Sequence, residues 1–93
     1  MDLLEKHDVF RLVEVLASEC GLKNIAPGLG CFIEPPHLWD PEAEGFKILI
    51  DAEAFIDTSL EKASAFVGTL GLRSRRTVTR YGPFIEIFKP RRK

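Results

Sequence analysis

Glutamine is absent from the 93-residue sequence, and asparagine occurs once, at Asn24. Such scarcity of thermolabile amides is a trait of heat-resistant proteins, and a thermophilic origin is expected. Long apolar runs are also missing. None exceeds three residues, as in Ile48-Leu49-Ile50, whereas a spanning helix needs roughly 20. That excludes a membrane helix, and no membrane partner is expected. The start, Met1-Asp2-Leu3-Leu4-Glu5-Lys6, lacks the apolar core of a secretory signal, so the expected location is the cytoplasm. Cysteine is limited to Cys20 and Cys31, and cytosolic thiols stay reduced. Neither stands with His7 or His37 at a spacing that sets two ligands on one zinc ion, so no metal or other cofactor is expected.

What remains is ordinary in bulk and uneven in distribution. Hydrophobic residues at 45% and charged residues at 29% match soluble globular domains, and the length suits one domain over residues 1–93. The net charge of −1 hides a division. Residues 1–71 hold five basic and thirteen acidic side chains, while 72–93 hold Arg73, Arg75, Arg76, Arg80, Lys89, Arg91, Arg92 and Lys93 against Glu86 alone. The chain is an acidic body followed by a basic arm. Such an arm can neutralise phosphates, meet an acidic protein, or be spent on ion pairs within its own fold.

Two helices are bounded by recognisable ends. Asp2 and Glu5 have the spacing of a capping box, Gly21 suits a left-handed stop, and Phe10, Val13, Leu16, Ala17 and Cys20 form one stripe, which predicts a helix over 3–20. Thr58 and Glu61 repeat the box, with Leu60, Ala63, Phe66, Val67 and Leu70 as the stripe before Gly71. Between the helices, frequent Pro and Gly restrict regular structure to a short strand over 31–34 and an apolar strand over 46–52. In the arm, runs 75–81 and 84–89 flank Gly82-Pro83, which fits a type II′ hairpin.

A shift of 50 residues superposes the two helical stripes and their Gly-Leu-basic ends. A further slip of two superposes Phe32-Ile33-Glu34 on Phe84-Ile85-Glu86. A duplication would give two helix–strand–strand repeats sharing one sheet. A common helix stop accounts for the first match equally well. The expected fold class is α+β: two helices packed on one face of a mainly antiparallel sheet of four to five strands, ending in a β-hairpin.

A Gly82-Pro83 turn sets Tyr81 opposite Phe84, Thr79 opposite Glu86 and Thr77 opposite Phe88, with Arg75 on the same face. Val78, Ile85 and Ile87 occupy the other, core-facing side. Aromatic rings interleaved with arginines suit nucleic acid, since bases stack on rings while guanidinium groups hold phosphates. The expected function is therefore a non-enzymatic binding protein that engages nucleic acid, as a homodimer, through Arg73, Arg75, Arg76, Arg80, Tyr81, Phe84, Phe88, Lys89, Arg91, Arg92 and Lys93. The same residue types suit a protein interface, which leaves a module that pairs with itself or docks an acidic protein as the alternative. A third reading, metal-dependent phosphoester hydrolysis, would use Glu34, Asp51 and Glu86. No lysine or histidine stands in a supporting catalytic pattern, so an enzyme is the less favoured class.

Overall fold

The computed structural model describes residues 3–22, 25–37, 39–55 and 57–91, and of 26–27 and 57–59 the backbone. Helix α1 (Lys6–Cys20) begins later than its sequence suggests. Glu5 occupies the N-cap without a side-chain capping bond, and Asp2 lies outside the described residues. Leu3 is needed elsewhere: its side chain is buried and its carbonyl accepts the Phe46 amide at 2.7 Å. The buried stripe is Val9, Leu12, Val13, Leu16 and Cys20, whereas Phe10 is 38% exposed. Val9 and Phe10 are adjacent apolar residues, and only the position of the sheet decides which one points inward. Helix α2 (Asp57–Thr69) starts one residue before Thr58, and the Thr58 side chain is among those not described.

Both helices stop in the same way. Gly21 and Gly71 adopt φ of +66° and +78°, and the next amide reaches back, Leu22 to the Ala17 carbonyl at 3.1 Å and Leu72 to that of Val67 at 2.9 Å. This is a Schellman stop, in which the leucine after the glycine folds onto the last turn. Leu22 and Leu72 are accordingly buried.

Strands β2 (Gly30–Glu34), β3 (Ala43–Asp51), β4 (Arg73–Thr79) and β5 (Gly82–Pro90) form an antiparallel sheet in the order β2-β3-β5-β4. A two-residue piece, β1 (Ala26–Pro27), pairs in parallel at the β2 edge. The chain thus runs helix–strand–strand twice, with β3 and β5 paired at the centre. In this layout β2 corresponds to β4 and β3 to β5, so the likeness of Phe32-Ile33-Glu34 to Phe84-Ile85-Glu86 joins non-equivalent strands. Both segments simply alternate in the way a sheet strand must.

The register sorts the side chains into two layers. Cys31, Ile50 and Ile85 lie across from one another, as do Ile33, Ile48 and Ile87. Cys31, Ile48, Ile50 and Ile87 join the α1 stripe, Ala63 and Val67 in one core. The turn of the final hairpin is Arg80-Tyr81, not Gly82-Pro83, because Thr79 pairs with Gly82 and Arg75 with Glu86. Thr79 organises it: its hydroxyl accepts the Tyr81 amide and donates to the Gly82 carbonyl, each at 3.1 Å. Gly82, at φ +108°, serves as the first paired residue after the turn. The displacement from the expected register is four residues along β4, an even number, so every side chain keeps its expected face while its partner changes.

β3 carries a bulge. Pairing with β5 slips between Glu44 and Ile48, leaving residues 45–47 opposite Phe88. The bulge frees the Phe46 amide for Leu3, and it requires Gly45, whose φ is +77° and whose added Cβ would lie 2.5 Å from the Leu3 oxygen.

Candidate functional site

The layer facing away from the helices carries Phe32 and Glu34 from β2, Lys47 and Leu49 from β3, Phe84, Glu86 and Phe88 from β5, and Arg73, Arg75 and Thr77 from β4. Two segments cover it from opposite ends. The β2–β3 connection folds over one end, where Asp40 pairs with Lys47 at 2.6 Å and Glu42 pairs with Arg75. The Arg80-Tyr81 turn leans over the other, placing Tyr81 on Phe32 with ring centroids 5.8 Å apart and planes 23° apart.

The covering loop is held by charge. Asp40 Oδ1 accepts the amides of Glu42 at 2.9 Å and Ala43 at 3.1 Å. The hydrogen bond from Lys47, then the Glu42 amide, hold its carboxyl well below the usual carboxylate range against the opposing effect of burial. Arg91, expected among the binding cations, instead closes this loop. Its Nε donates to the Asp40 carbonyl at 2.7 Å and its Nη2 to the Ala43 carbonyl at 3.1 Å, while its amide bonds the Glu42 carbonyl at 2.9 Å.

The basic arm therefore divides. Arg75 gives Nε to Glu86 at 2.8 Å and lies 4.5 Å above the Phe88 ring. Burial works against its charge, but the bonds to Glu42 and Glu86 outweigh it, and the group holds its proton more tightly than usual. Lys89 meets Glu44 at 3.5 Å. Phe84 and Phe88, expected as surface rings, are 3% and 6% exposed, because Phe32 packs on the first at 5.6 Å and Arg75 on the second. Arg73, Arg76 and Arg80 are exposed and have no ion pair among the described residues. Arg73 and Arg76 lie on the outermost strand β4, and Arg80 at its tip. Arg92 and Lys93 lie outside the described residues.

Between the loop and the turn lies an open groove of about 320 Å³, lined in the main by Phe32, Glu34, Leu49, Thr79, Arg80 and Tyr81. Tyr81 is 71% exposed and Phe32 44%. Phe32 and Glu34 were not among the binding residues read from the sequence. Strand alternation was the available signal, since Cys31 and Ile33 take the core side of β2 and so leave Phe32 and Glu34 on the other.

The carboxylates considered for metal chemistry are engaged separately. Glu34 Oε1 meets His37 Nε2 at 2.9 Å, Asp51 accepts the Glu53 amide at 3.0 Å at the start of a 3-10 turn over 52–54, and Glu86 holds Arg75. Among the described residues no three metal-ligating side chains gather, and no helix is long and apolar enough to cross a membrane. Comparison of the chain with protein-family models, curated proteins and solved structures returns no match.

Proposed function

We propose that this chain is a non-enzymatic binding protein that takes single-stranded nucleic acid at the Phe32–Tyr81 groove and along strand β4. The observation that carries the reading is the stacked, solvent-facing pair of Phe32 and Tyr81 beside Arg80 in one groove. A base has a π-face that stacks on such a ring without regard to sequence, while guanidinium groups hold the flanking phosphates. Arg80, Arg76 and Arg73 are spread along β4 from its tip to its far end, about 20 Å at roughly 3.3 Å per residue. Arg73 lies on the groove's face of the sheet and Arg76 on the other, so that the two flank the strand's open edge from both sides. None of the three makes an ion pair among the described residues.

The test is the salt dependence of binding to a short labelled single strand. Each neutralised phosphate contributes about −0.7 to the slope of log K against log salt for single strands. Three arginines give about −2, an affinity loss of roughly 20-fold between 50 and 200 mM salt. Arg73→Ala, Arg76→Ala and Arg80→Ala should each reduce the slope by about 0.7. Absence of binding at low salt, or affinity indifferent to salt, refutes the proposal.

Val78 favours a second reading, because it is 84% exposed on a strand with one unpaired edge. Such an edge accepts an added strand. Pairing with a second copy would set the β4 arginines of two chains against each other, which like-charge opposition disfavours. An acidic extended segment of another protein is the better match. Under this reading polyanions fail to bind, and Val78→Glu abolishes association seen in sizing chromatography.

A further inference from the structure

Single-strand binding by stacking alone is tolerant of sequence, yet the groove is not chemically neutral. Its lining side chains offer one carboxylate, Glu34, one guanidinium, Arg80, and two hydroxyls, Thr79 and Tyr81, among apolar walls. The Thr79 hydroxyl is already spent on the turn, accepting from the Tyr81 amide and donating to the Gly82 carbonyl. The side-chain functions left to a ligand are therefore a charged acceptor at Glu34, a charged donor at Arg80 and the phenol hydroxyl of Tyr81. An ionised carboxylate only accepts, through two oxygens with about four lone-pair sites. His37 Nε2 occupies one site on Oε1 and leaves the rest of the carboxylate open to the groove.

The base edges respond differently to such an acceptor. Guanine carries two adjacent donors, N1–H and the 2-amino group, spaced like the two oxygens of a carboxylate, and can make the paired, charge-assisted contact that is both strong and directional. Adenine and cytosine place a ring acceptor beside their single amino group. Thymine and uracil flank N3–H with two carbonyls. Each of these turns at least one lone pair toward a negative charge, in a groove whose walls make an unpaired polar contact expensive. The groove volume, about 320 Å³, lies at the small end of ligand sites and suits one base rather than a run.

We infer that the groove selects guanine within a single strand: the base stacks against Tyr81 and Phe32, its N1–H and 2-amino group donate to the Glu34 carboxylate, and Arg80 holds the adjacent phosphate. This rests on the single-strand reading above and adds base selection to it. Glu34 is then a specificity residue, and the β4 arginines supply affinity shared by every sequence.

The experiment is fluorescence anisotropy at 50 mM salt with labelled heptathymidylates carrying guanine, hypoxanthine or adenine at the central position, beside plain heptathymidylate. Hypoxanthine keeps N1–H and lacks only the 2-amino group. The guanine strand should bind about tenfold or more tightly than the other three, the discrimination expected of a good paired base contact. Glu34→Gln should erase the preference while binding plain heptathymidylate at least as well, since a negative charge is removed. Equal binding of all four strands by the unaltered protein overturns guanine selection and leaves the single-strand reading standing. Binding of none overturns both. Free guanosine monophosphate should compete weakly, because it reaches only the groove. Competition at the affinity of the guanine strand would overturn selection within a strand and identify a free-nucleotide site.

Discussion

Replacing Gly45 with alanine isolates the device that ties the N-terminal segment to the sheet. The residue sits at φ +77°, and a Cβ there would stand 2.5 Å from the Leu3 oxygen and 3.0 Å from the Leu3 carbonyl carbon. A left-handed backbone costs a non-glycine residue about 1–2 kcal/mol. The obstructing atom belongs to the main chain, so it cannot rotate aside, and the Leu3 segment has to retreat. Retreat breaks the Phe46 amide bond to Leu3, a net loss of about 1 kcal/mol. It also loosens a buried leucine whose full burial stabilises by about 1.5–3 kcal/mol. The expected total is about 3–5 kcal/mol, much of the 5–15 kcal/mol that holds a small domain together.

Gly71→Ala is the control, because φ is +78° there and nothing lies within 4 Å of the added Cβ, which leaves only the backbone cost of about 1–2 kcal/mol. With a urea slope of about 1–1.5 kcal/mol/M, Gly45→Ala should unfold about 2 M below Gly71→Ala. The Phe46 amide should also lose protection from hydrogen exchange in the first variant alone. Coincident midpoints, or an unchanged Phe46 amide, would refute the reasoning.

Two other outcomes follow from buried groups. Asp40→Asn leaves the Lys47 ammonium without its counter-charge and should destabilise by about 2–3 kcal/mol at pH 7; because the folded carboxyl titrates below its ordinary 3.8, the native contribution is complete above about pH 4 and fades as pH falls. Urea midpoints from pH 7 down to pH 2 should therefore converge between the two proteins, and a gap that stays constant contradicts the ion pair. Burial pushes the Cys31 thiol up to about 11, so a disulfide reagent at pH 8 should modify it only as fast as the native protein opens, and at once in denaturant. Mass spectrometry locating rapid native-state label on Cys31 would show that the thiol is not sealed in the core.

Much of the architecture was legible because it is local. The glycine-leucine stops need nothing beyond the last helical turn, and alternation along Gly82–Pro90 sets Ile85 and Ile87 on the core face even though the turn lies two residues earlier than expected, whereas Val78, expected on the core side, is 84% exposed at the sheet edge. The error in the turn survived because Gly82-Pro83 and Thr79 with Gly82 are both sound turn chemistry, and the choice depends on Thr79 bonding both sides of the turn. Within the α1 stripe Val13, Leu16 and Cys20 are buried as expected, and Phe10 alone faces out, for a different reason. Two neighbouring apolar residues compete for one inward direction, and the sheet position that settles it lies outside the helix.

The site was harder to read than the fold. Charge segregation marked the arm, but it treated eight cations as equivalent. Arg75 and Arg91 are neutralised or saturated by groups 33 and 51 positions away, Glu42 and the Asp40 carbonyl, and no pattern within the arm records those separations. Phe84 and Phe88 look like exposed rings in their own strand and are covered by residues from β2 and β4.

By itself, the order of residues determined where the helices end, that Ile85 and Ile87 share the core side of β5, and that cationic charge collects in the final quarter. These follow from backbone geometry with a period of two or of 3.6. Tertiary structure alone decided which arginines and rings face solvent, because a buried pair forms only where segments distant in the chain are brought within bonding distance. Within the arm, Arg73, Arg76 and Arg80 are the described arginines that folding left exposed, with the Phe32–Tyr81 stack beside them.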